Sequence, residues 1–156
     1  MTTSTTDTPT AGDVIDPTTT ISAQLFDRLV ARVLAEHPDF DDAYARRVMR
    51  QALAFLMACA FNPGARLAPS PQVDVGWHTF ILFTRDYARF CAQVAGRVIH
   101  HIPEDEPATG AAAVDRIGVT ITAMRAANLP VDVELWLHKA ECSQCYQGCA
   151  DDPSGA

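Results

Sequence analysis

From Ile21 onward apolar residues recur at every fourth position. Leu25, Leu29 and Val33 continue that line, with Phe26, Val30 and Leu34 beside it. So broad a stripe predicts an amphipathic helix, capped at Thr20 or Ser22 and stopped before Pro38. A second helix is expected after Asp39, whose carboxylate can accept from the free N–H groups of a first turn. Tyr44, Val48, Gln51, Phe55 and Ala58 share one line of it, and Leu53, Met57, Ala60 and Phe61 another, up to the breaker Asn62-Pro63-Gly64. Residues 52–61 are apolar on all sides, which makes this the central helix.

Ser70-Pro71 reads as an N-cap followed by proline at the first helical position. It opens a third helix that runs to about Ala95, with Gly96 as its stop. The next stretch, RVIHHIPEDEP, is short and bounded by prolines, so it is read as extended chain or loop. A fourth helix, Ala112 to Ala127, carries Val114, Ile117, Ile121 and Met124 at helical spacing and is closed by Leu129-Pro130. The remainder, from VDVELWL, starts as a short helix or strand and becomes a tail containing Cys and Gly. The expected architecture is mainly α: a four- or five-helix bundle with an irregular, Cys-containing C-terminal tail.

Composition narrows this picture. The chain of 156 residues suits one helical domain, expected over 21–150. Residues 1–20 contain nine threonines and almost nothing apolar, and are expected to be a disordered tail; 151–156 are expected to be a flexible C-terminus. The formal charge of −7 argues against a nucleic acid or an anionic membrane as partner, because phosphate contacts need clustered Lys and Arg. The longest apolar run, ALAFLMACAF, is about half of the ~20 residues that span a bilayer. The N-terminus lacks the basic and apolar regions of a secretory signal, so a cytoplasmic location is expected. In that reducing setting the five cysteines point to metal or redox chemistry rather than to a disulfide framework.

Two clusters could carry metal chemistry. On the third helix Asp74 and His78 stand at i and i+4, so their side chains share one face. The carboxylate can then orient the imidazole, or both can ligate one ion. His100 and His101 follow in an extended segment, where neighbouring side chains point to opposite faces, so only one of the pair can join a given site. Asp74, His78 and one of His100 or His101 would make a two-His, one-carboxylate set with positions left open. The competing reading makes His78 a packed residue beside Trp77, and His100 and His101 loop residues bonded to backbone carbonyls.

The second cluster is CSQCYQGC, in which Cys142, Cys145 and Cys149 have the spacing of a zinc knuckle, with His138 or a distant histidine as fourth ligand. A redox dithiol, an iron–sulfur cluster and unmetallated surface thiols compete with it. Cys59 and Cys91 sit at apolar helical positions and read as small buried hydrophobes. Arg46, Arg47 and Arg50 are expected to pair with nearby acids, and Glu104-Asp105-Glu106 to be a solvated loop.

The pattern VDxxWHxxILxTxxYxxFC, followed by GxxIHHxP, resembles the short actinobacterial relatives of the glycine-rich-domain-containing proteins. The resemblance covers Val73 to Pro103, with CSQCYQGC as a further match. Plant members carry a second histidine two positions after the first, where this chain has Phe80, and the glycine-rich tail is missing. The resemblance implies a recurring domain type and no particular reaction. The functional expectation is a small cytoplasmic helical protein that binds metal, zinc first among the candidates, through Asp74, His78, His100 or His101 and through the three tail cysteines. Two alternatives stand beside it. One is an enzyme that activates water at an open His/Asp site; the other is a zinc-stabilised protein-interaction module without catalysis.

Overall fold

Ser22, Asp41 and Ser70 each turn a side-chain oxygen onto a backbone N–H three residues ahead, at 3.1, 2.7 and 3.3 Å. Each thereby satisfies a donor that a helix start leaves free. They open α1 (Ala23–Glu36), α2 (Asp42–Phe61) and α3 (Pro71–Leu82). Then follow α4 (Thr84–Ala95), α5 (Ala111–Ala126) and the single turn α6 (Val133–Trp136). The structure, a computed structural model, describes residues 12–102 and 109–137. Among these the chain is helical without strands, a bundle of five substantial helices. None of its helices is long and apolar enough to cross a membrane.

As expected, α2 is the central helix: Ala52 to Leu56 and Ala58 are fully buried, and α1, α3, α4 and α5 all pack on it. Its last turn emerges from the core, where Phe61 is half exposed. The α2–α3 seam is narrow because Gly76 lies against Ala52 and the backbone carbonyl of Val48.

Besides the cap of α2, which is Asp41 rather than Asp39, three expectations need correcting. The helix expected to run from Pro71 to Ala95 is two helices, broken at Phe83 (φ −86°, ψ 62°). Nothing local signals a break; tertiary bonding demands it. The indole N–H of Trp77 donates to the Tyr87 hydroxyl at 2.9 Å although the residues are ten apart. In a straight helix they would be separated by about 15 Å of rise. Within the Thr-rich N-terminal segment the described part is built into the fold: Asp16 caps a 3-10 turn, Pro17–Thr20, and Pro17 is buried against α2. On α5, Val114 shares its helical line with buried Ile121 and Met124 yet faces solvent, because the N-terminal half of α5 extends beyond the core.

The segment after α5 is clasped by α2. Gln51 accepts from the Trp136 indole N–H at 2.6 Å and the Asp132 N–H at 3.1 Å, and donates to the Pro130 carbonyl at 3.2 Å. Arg47 forks onto Asp132 at 2.7 and 2.9 Å and reaches Glu134 at 2.7 Å, and that guanidinium holds the Asp132 carboxyl below its usual range. Gln51→Met should therefore strand two donors while conserving volume. A loss of about 3 kcal/mol of unfolding free energy in urea is expected. A loss below about 1 kcal/mol would show that the clasp is replaceable by water.

Candidate metal centre

Asp74 stands in the first turn of α3 and His78 one turn later, so the helix itself stacks them. His78 Nδ1 lies 3.3 Å from Asp74 Oδ2. The other carboxylate oxygen, Oδ1, is 2.9 Å from His101 Nε2. One carboxylate thus has an imidazole on each oxygen, one from its own helix and one from a segment 27 residues away.

The choice between the paired histidines follows the alternation of extended chain. Ile99 is buried, His100 exposed and His101 turned inward again. Asp74, His78 and His101 come together, and His100 stays outside. The His101 ring meets Trp77 at a centroid distance of 4.3 Å and His78 at 4.4 Å, the latter pair stacked at 27°. Asp74 and His101 are largely shielded, with side chains 26% and 20% exposed, whereas His78 is 59% exposed. The centre is therefore walled on the Trp77 side and open to water on the His78 side.

Each of the three residues offers a donor atom, and these atoms lie within 4.8 Å of one another. Metal–nitrogen and metal–oxygen bonds of about 2.1 Å place tetrahedral ligand atoms about 3.4 Å apart. The 2.9 and 3.3 Å distances run from His101 and His78 to different oxygens of Asp74, so sharing one ion through a single oxygen would need the side chains to shift. The donor set can hold a divalent transition-metal ion with small side-chain adjustments, or it can persist as a hydrogen-bonded His–Asp–His group.

Cys142, Cys145 and Cys149, with His138, lie outside the described residues, as does Glu104-Asp105-Glu106. Cys91 is fully buried and Cys59 partly so, and burial pushes the Cys59 thiol up to about 12, far from thiolate chemistry. Arg46 pairs with Asp42 and Asp27, Arg47 with Asp132 and Glu134, and Arg50 approaches Asp16 at 3.8 Å.

Sequence reasoning missed Tyr87. Its hydroxyl accepts from the Trp77 indole and donates to the Ile99 carbonyl at 2.5 Å, all three residues being buried. Reading residues 71–95 as one helix set Trp77 and Tyr87 too far apart for this bond to be foreseen.

A protein-family model described as UCP032817-like matches residues 18–117. The matched segment contains Asp74, His78 and His101 and ends before α6 and the tail cysteines. No curated protein and no solved structure matches the chain.

Proposed function

We propose that this chain, which belongs to the UCP032817-like family, is a metal-binding protein whose Asp74, His78 and His101 hold one divalent ion, zinc in the first place. The observation that carries the reading is the Asp74 carboxylate with one imidazole nitrogen on each oxygen, at 2.9 and 3.3 Å. Nitrogen and carboxylate donors suit zinc, and three protein ligands leave a fourth position for water, substrate or a further side chain. Cys142, Cys145 and Cys149 remain in the proposal as a second zinc-ligand group, or as the source of that fourth ligand.

The exposure of His78 favours an exchangeable ligand over a closed structural sphere. It also supports the enzyme alternative: a bound water at the open side would be acidified by the ion. In the interaction-module alternative, four protein ligands close the sphere and no exchangeable water is present.

The test is elemental analysis of untagged protein purified without chelator, followed by zinc titration of His101→Ala and of a variant with Cys142, Cys145 and Cys149 all changed to serine. About one equivalent of zinc that is lost in His101→Ala and kept in the triple-serine variant is the expected result. Zinc retained in full by His101→Ala would assign the metal to the cysteines and leave the His–Asp–His group a hydrogen-bonded one. Iron in place of zinc would keep the centre and change its metal.

A further inference from the structure

The segment that carries His101 leaves α4 at Gly96, a left-handed C-cap with φ 65°, and has no helix or sheet ladder to fix it. Four residues separate that cap from His101. The Arg97 guanidinium bonds the Cys59 carbonyl at 3.1 Å through an exposed contact. The buried fixture is Tyr87, which stands on α4, accepts from Trp77 on α3 and donates to the carbonyl of Ile99.

We infer that Tyr87 is the positioning residue of the metal centre: its hydroxyl ties the backbone two residues before His101 to the helix that carries Asp74 and His78. The inference rests on the metal-binding reading of those three side chains. The fixture is polar and directional. Trp77 can only donate and the Ile99 carbonyl can only accept, so a hydroxyl between them satisfies both at once. Two residues of extended chain span about 6.6 Å, so fixing the Ile99 carbonyl leaves little freedom in where the His101 ring stands. Trp77 contributes twice, since its N–H engages the hydroxyl and its ring lies against the His101 imidazole. Phe80 meets the Tyr87 ring edge-on at 5.2 Å and orients the phenol.

Tyr87→Phe keeps the ring and that packing and removes only the bridge. Zinc affinity should fall about tenfold, the scale of losing a partner that orients a ligand. Val33→Ala, a cavity at a buried position of α1, serves as the control for lost stability alone and should leave zinc affinity unchanged. Wild-type affinity in Tyr87→Phe would overturn the inference, and so would an equal loss in Val33→Ala. A metal-free readout separates this result from the metal reading itself. The nuclear Overhauser contact between the Trp77 and His101 rings should be present in apo wild type and in Val33→Ala, and weakened in apo Tyr87→Phe. If wild type holds no metal, the metal reading fails, and an undiminished ring contact in Tyr87→Phe would then refute the fixture as well.

Discussion

Alanine at Gly76 will destabilise the protein by about 2 kcal/mol, while alanine at Gly118 will stabilise it by about 1 kcal/mol. Both glycines lie inside helices, so the intrinsic gain in helix propensity is the same, near 1 kcal/mol. Their surroundings differ. A Cβ at Gly76 would come within 2.7 Å of Ala52 Cβ, 3.2 Å of the Val48 carbonyl oxygen and 3.3 Å of Met49 Sδ, whereas nothing lies within 4 Å of one at Gly118. Neither Ala52 Cβ nor a helix carbonyl can swing aside, so α3 would have to back away from α2 along a fully packed seam. Overpacking of this kind typically costs 1–3 kcal/mol, and about 3 kcal/mol is expected for so close a clash. Subtracting the propensity gain gives the net loss. Urea unfolding of both variants measures it. A neutral or stabilising Gly76→Ala would mean that the two helices are not in this contact. Because Gly76 lies between Asp74 and His78 on α3, its tight seating also fixes the height at which both side chains meet His101.

Asp74→Asn should lower zinc affinity about a hundredfold or more while leaving the metal-free protein nearly as stable as before. Asp74 would act as a ligand and also as the group that orients both imidazoles, so its loss should exceed the 10- to 100-fold typical of an orienting partner alone. In the apo protein the carboxylate contributes mainly by its place in the first turn of α3, an interaction worth about 0.3–1 kcal/mol. Asparagine keeps the shape and some of the hydrogen bonding. Isothermal titration gives the affinity and urea unfolding of apo protein the stability. Thermal scans with added zinc give a third reading: at a free concentration of 100 Kd the wild type should gain about 2.7 kcal/mol, and the variant almost nothing at that same concentration. Undiminished zinc binding by Asp74→Asn would remove this carboxylate from the ligand set.

Local sequence determined much of the fold. Ser22 and the Ser70-Pro71 pair open helices where their cap chemistry says they should, and the all-round apolar run on α2 becomes the buried centre. These outcomes follow from interactions within a few residues of chain. The Asp74–His78 pair was legible for the same reason, since helical spacing alone stacks i on i+4. Local alternation of extended chain likewise lets only one of His100 and His101 enter a given site.

Which of the two enters was decided in three dimensions. The burial of Ile99 sets the phase of the alternation, and that burial goes with tertiary packing, including the Tyr87 bond from α4, that no local pattern encodes. The break at Phe83 has the same origin. No glycine or proline marks it, and the bond from Trp77 to Tyr87 exists only because two helices replace one. The outward turn of Val114 also needed the bundle, because periodicity tells which residues share a helix face but not how far the core beneath that face extends. Sequence placed the candidate ligand types within reach of one another along the chain; packing turned His101 rather than His100 inward and set the Tyr87 hydroxyl on the Ile99 carbonyl, because long-range burial depends on contacts the local pattern does not contain.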